Sequence, residues 1–112
     1  MKSADKKKSS DWQIFERQAT ICKAFAHPAR LFILHQLGKQ EYSVAELQKE
    51  LGISIPNLSQ HLAILKAAGV VITRREGKRV YCSLPIPEVK QACDLIHGVL
   101  RRQIRDSRSL VA

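Results

Sequence analysis

The sequence predicts a mainly α-helical domain carrying one small β-hairpin, and three observations predict it. Apolar residues recur at helical spacing through its five predicted helices. A single β-rich stretch, residues 70–84, is folded back on itself at Gly77. At 112 residues with 45% hydrophobic content, the chain suffices for one core and not for two. A chain this short buries only about two-thirds of its unfolded surface, which favours pairing with a second copy.

The first ten residues lack apolar periodicity and read as a disordered basic tail. From Asp11 a helix is expected, with Trp12, Phe15, Ala19, Cys22 and Ala26 on one face and Ser10 or Asp11 as its cap. His27-Pro28 breaks that helix, because proline cannot continue the hydrogen-bond ladder but fits the first turn of a new one. The next helix, from Ala29 to Leu37, turns Leu31, Ile33, Leu34 and Leu37 inward. Ser43 opens a capping box with Glu46, and Val44, Leu47 and Leu51 form the stripe of a third helix that Gly52 ends.

Ser54 caps a fourth helix with Pro56 in its first turn, running to Ala68 with Leu58, Leu62 and Leu65 inward. Its other face carries Asn57, Ser59, Gln60 and His61, polar side chains suited to base edges and phosphates in a major groove. A merely solvated helix face would more often carry Lys–Glu pairs, and Ser54 to Leu65 has none. Gly69 closes the helix, the hairpin turns at Arg75-Glu76-Gly77-Lys78, and Val80 to Leu84 returns. Pro85 and Pro87 end the strand. A last helix from about Pro87 presents Val89, Ala92, Cys93, Ile96, Val99, Leu100 and Ile104, leaving 106–112 as a flexible tail after a domain spanning 11–105. Helix, helix, turn, helix, hairpin, helix is the order of a winged helix-turn-helix.

The net charge of +9 is concentrated. Residues 1–10 and 101–112 each contribute +3, and so does the hairpin from Thr73 to Tyr81, where Arg74, Arg75, Lys78 and Arg79 face the single Glu76. The rest balances at seven basic against seven acidic residues. Clustered cations on a hairpin suit a polyanion, since each neutralised phosphate releases counterions; basic tails alone serve solubility equally well. The expected DNA contacts are therefore Ser54, Asn57, Ser59, Gln60 and His61 on the helix and Arg74, Arg75, Lys78 and Arg79 on the wing. No run approaches the roughly 20 apolar residues of a membrane span, and the start has no apolar stretch of a secretion signal, so a soluble, cytoplasmic chain is expected. Three cysteines, Cys22, Cys82 and Cys93, argue against a disulfide framework. No phosphate loop, carboxylate pair or nucleophile–base pair points to an enzyme.

The run Leu58-Ser59-Gln60-His61-Leu62-Ala63-Ile64-Leu65-Lys66-Ala67-Ala68-Gly69-Val70-Val71, with His27-Pro28-Ala29-Arg30 and Ser43-Val44-Ala45-Glu46-Leu47, resembles the ArsR/SmtB family of bacterial repressors. The resemblance covers Trp12 to about Gln103. It implies a homodimer joined through the first and last helices, recognition helices in successive major grooves of an inverted repeat in double-stranded DNA, and release by an inducer. The metal motifs of such proteins are missing: Ser43-Val44-Ala45 stands where a Cys-Val-Cys motif would, and Ile86, Glu88 and Val99 stand where Asp and His pairs would, with His97 isolated. His35 and Arg101 occupy the positions where related thiol sensors place cysteines. Cys22 and Cys93 remain, on stripes that such proteins pack together. They are either a thiol sensor of oxidants, sulfur species or a soft ion such as arsenite, or small buried hydrophobes of low reactivity. Cys82 reads as a strand-packing residue. A winged-helix protein-interaction module and a ligand-independent DNA-binding regulator are the alternative readings.

Overall fold

The computed structural model describes residues 10–111. Five helices and three strands follow in order: α1 (Ser10–Phe25), α2 (Pro28–Leu37), β1 (Tyr42–Ser43), α3 (Val44–Leu51), α4 (Ile55–Ala67), β2 (Ile72–Glu76), β3 (Arg79–Ser83) and α5 (Pro87–Val111). The basic segment expected over residues 1–10 lies outside the described residues except for Ser10, which begins α1.

Local chemistry sets the helix ends. His27 caps α2 with its ring, Nδ1 accepting from the Ala29 amide at 3.0 Å, with Pro28 opening the helix. Ser43 and Glu46 form the expected capping box: the Glu46 amide donates to Ser43 Oγ at 3.1 Å, and the Ser43 amide donates to Glu46 Oε1 at 2.9 Å. These bonds hold the Glu46 carboxyl below the usual carboxylate range. Replacing Ser43 by alanine is expected to cost about 0.5–2 kcal/mol, read as an earlier urea midpoint. Gly52, at φ 66°, ends α3 in the left-handed conformation, its amide donating to the Gln48 carbonyl at 2.8 Å.

The core is built from Ile33, Leu34 and Leu37 of α2, Leu47 of α3, Leu58, Leu62 and Leu65 of α4, Val70, Val71 and Cys82, with Ala24 and Val89 closing its edges. Two expected inward faces are revised. Leu31 is 45% exposed. In α1 the buried residue is Ala24, with Phe25 packed beside it, whereas Phe15 and Cys22 are exposed. The apolar residues of α1 recur on more than one side of the helix, so spacing alone did not identify the side turned to this core.

The hairpin is one part of a three-stranded antiparallel sheet in the order β1-β3-β2. Tyr42 pairs with Cys82 and Ser43 with Tyr81 on one side of β3, and Ile72–Glu76 pairs with Arg79–Ser83 on the other. A two-residue strand has too few side chains to show period-2 alternation, so β1 was not legible as one. Gly77 supplies the positive φ of the tight turn. The last helix continues to Val111 instead of stopping near 105, which makes the residues assigned to a C-terminal tail helical as far as 111. No helix among the described residues is long and apolar enough to cross a membrane.

Candidate nucleic-acid interface

Helix α4 is oriented by its buried side. Leu58 and Leu65 are fully buried and Leu62 nearly so, which turns Asn57, Ser59 and Gln60 outward. Ser54 Oγ accepts from the Asn57 amide at 3.3 Å as the N-cap, so this exposed hydroxyl first serves the helix. The N-terminal end of the helix, beside Asn57, carries the partial positive charge of the helix dipole.

The wing separates its cations by strand alternation. Arg75 and Val80 are cross-strand neighbours, as are Thr73 and Cys82, whereas Arg74 lies opposite Tyr81 on the other face. There Arg74 meets an acid remote in sequence: its Nη2 is 2.6 Å from Glu41 Oε1 and its Nε 3.1 Å from Glu41 Oε2, a two-pronged pair. It also pairs with Glu76 and stacks over the Tyr81 ring at 4.5 Å. The guanidinium holds the Glu41 carboxyl below its ordinary range. Arg74, expected to contact phosphate, is thus engaged within the protein. Arg75, Lys78 and Arg79 are exposed and form no salt bridge among the described residues.

Between α3, α4 and the wing lies a groove of about 750 Å³. Ser59, Ala63 and Lys66 line it from α4, Ala45 and Lys49 from α3, and Thr73, Lys78, Arg79 and Val80 from the wing. Lys49 and Lys66 lie in segments whose charges balance, so charge alone did not place them on this groove. Their spacing was the available signal: Ser59, Ala63 and Lys66 recur at four and three along one helix face. Four cations border the groove, and the carboxylate there, Glu46, is committed to the Ser43 amide. A concave cationic surface beside an exposed polar helix matches a sugar-phosphate strand flanked by base edges.

His61 departs from this face. Its Nδ1 lies 3.1 Å from Arg30 Nη1, and its ring packs on His27 with centroids 4.5 Å apart. Expected as a DNA contact, it is half-buried and directed toward α2, because it lies three residues after buried Leu58 and four before buried Leu65, on the inward side of the helix.

The three cysteines are free and differently placed. Cys22 is exposed on α1, Cys93 is half-buried against the core, and Cys82 is fully buried in β3. Burial pushes the Cys82 thiol up to about 11, and burial together with the Asp94 carboxylate raises Cys93. No group of three or more His, Cys, Asp or Glu side chains that could hold a metal ion occurs among the described residues.

Comparison with known proteins agrees with this architecture. Residues 27–73 match the family described as bacterial regulatory protein, arsR family. The chain is 38% identical over 81 residues to the biofilm growth-associated repressor of Agrobacterium fabrum, covering 72% of this chain and 69% of that protein. The crystal structure of Mycobacterium tuberculosis Rv0081 superposes with a TM-score of 0.77 at 36% identity, covering 84% of this chain and 95% of that one. The solution structure of a homodimeric winged helix-turn-helix DNA-binding domain from Mycobacterium bovis gives 0.80 at 28% identity, covering 88% and 93%. With the recognition helix, the wing and these similarities in agreement, the chain belongs to the ArsR family of bacterial transcriptional regulators and is not an enzyme.

Proposed function

We propose that this regulator is a homodimeric repressor that holds an inverted-repeat operator until an inducer releases it. The observation that carries the reading is the exposed polar edge of α4 beside a groove bordered by Lys49, Lys66, Lys78 and Arg79. Ser54, Asn57, Ser59 and Gln60 face the major groove, and Arg75, Lys78 and Arg79 meet phosphates. Half-sites then lie about 10 base pairs apart. Arg74 is assigned to wing stability: Arg74→Ala leaves the salt slope of DNA binding unchanged, whereas Lys78→Ala lowers it by about one. Equal slope changes in the two variants would return Arg74 to the phosphate contacts.

Dimerisation is supported by an apolar surface that one protomer leaves open. Ile14 and Phe15 of α1 are 63% and 60% exposed, and Leu95 and Ile96 of α5 are 73% and 71% exposed. Val99, Leu100 and Ile104 continue the α5 stripe. A stripe of this size on a small domain suits an isologous contact with a second copy.

A thiol-gated release, in this reading, begins at exposed Cys22, since burial and Asp94 disfavour the thiolate of Cys93. The test is fluorescence anisotropy of the reduced protein on its own upstream DNA, repeated after a mild oxidant, a polysulfide and arsenite. Tight, salt-sensitive binding supports the repressor reading, and its absence with the dimer intact favours a protein-interaction module. Release lost in Cys22→Ser or Cys93→Ser supports a thiol inducer, and unchanged binding makes both residues packing groups.

A further inference from the structure

Three polar side chains, His27, Arg30 and His61, meet where α1, α2 and α4 converge. Arg30 donates from Nε to the Ala24 carbonyl oxygen at 2.6 Å, in the last turn of α1. Its Nη1 lies 3.1 Å from His61 Nδ1 in α4. His27 packs its ring on His61 while its own Nδ1 accepts from the Ala29 amide.

A guanidinium carries N–H donors and no acceptor. His61 Nδ1 must therefore be the acceptor in that contact, which requires an unprotonated Nδ1 and a neutral ring with its proton on Nε2. His27 Nδ1 is likewise an acceptor, its partner being the Ala29 amide. The ionisable groups facing His61 are His27, from the α1–α2 connection, and Arg30, from α2, while α1 presents the Ala24 carbonyl. Burial, with His27 and the Arg30 guanidinium beside it, holds the His61 imidazole below its ordinary pKa.

We propose that Arg30 is a positioning residue that ties the end of α1 to the DNA-reading helix through His61, so that the set of α4 follows the position of α1. The inference rests on the reading above, in which α1 joins the subunits and α4 enters the groove. A planar guanidinium holds two acceptors at a fixed spacing, which a lysine ammonium cannot reproduce. A shift of α1 at the subunit seam is thereby passed to α4.

Protonating His61 sets an N–H against the guanidinium and breaks the tie. Because the folded protein favours the neutral ring, the stability from this contact is complete above about pH 6.5 and declines as pH falls below it. A charged imidazole also adds a cation, which strengthens binding to any DNA. Acid thus lowers the preference for operator over arbitrary DNA.

The experiment uses the full chain, a duplex selected by the protein from a random pool and a scrambled duplex of equal length, titrated from about pH 8 to about pH 5.5. Sedimentation velocity follows the dimer. His61→Asn places an amide oxygen near Nδ1 and does not titrate, and His27→Ser keeps a cap that does not titrate. The wild type is expected to lose about tenfold of its preference for the selected duplex on acidification, His27→Ser to lose the same, and His61→Asn to hold its preference at every pH. Arg30→Lys is expected to lose about tenfold of that preference already near neutral pH while remaining dimeric. The proposal is overturned if His61→Asn keeps the wild-type pH dependence, if His27→Ser abolishes it, or if Arg30→Lys retains full preference.

If Arg30→Lys does not fold, the His61→Asn profile decides. If no duplex is selected at any pH, the DNA reading fails instead, and thermal unfolding judges the tie alone. Arg30→Met and His61→Ala together should then lower Tm by less than their separate effects summed near pH 7.5 and by the full sum near pH 5.5. Additivity at both values sinks it.

Discussion

Leu58→Ala is expected to destabilise the protein by about 2–5 kcal/mol and to abolish operator binding at temperatures where the wild type still binds. Leu58 is fully buried at the start of α4, in the cluster formed by Ile33, Leu47 and Leu65. The substitution removes apolar contacts and leaves a cavity that the surrounding helices close only in part. Since small domains have roughly 5–15 kcal/mol of total stability, a loss of this size removes a large share of it. Urea unfolding measures the change as a lower midpoint at constant slope. A cost below about 0.5 kcal/mol, the size of an ordinary surface substitution, would mean that α4 is not anchored by this side chain.

Gln60→Ala is expected to leave unfolding unaltered, because the residue is exposed, while weakening operator binding by about 1–3 kcal/mol and relaxing preference at one base position. An amide side chain can accept and donate at an adenine edge, and alanine offers neither group. Lys78→Ala provides the contrast: all sequences weaken together and the salt slope flattens, because a phosphate contact carries no base information. Anisotropy across a panel of single-base operator variants separates the two outcomes. Identical behaviour of both variants would show that the division between base readout by α4 and phosphate contact by the wing is wrong.

The pair shows how far the linear chain could be read. Gln60 was legible as an outward residue because Leu58, Leu62 and Leu65 name the inward side of the same helix. Lys78 was legible because Gly77 marks a tight turn and places its neighbour at an exposed tip. Arg74 was not, since its fate depends on Glu41, 33 residues away, which only the pairing of β1 and β2 on the two sides of β3 brings within reach. The surroundings of His61 were not legible for a related reason: its contacts with Arg30 and His27 depend on how α4 packs against α2.

The sequence by itself determined the order of the elements, the caps at Ser43 and Ser54, the left-handed stop at Gly52, the core of α2 and α4, and the family. All of these follow from interactions within a few residues or from the periodicity of one helix, which the order of residues contains directly. The tertiary structure alone decided the third strand, the side of α1 that faces the core, the neutralisation of Arg74, the cationic groove completed by Lys49 and Lys66, and the junction of Ala24, Arg30 and His61. Each joins groups from separate elements, and whether two such groups meet depends on how the helices and the sheet pack, a property of the assembled core that no local pattern encodes.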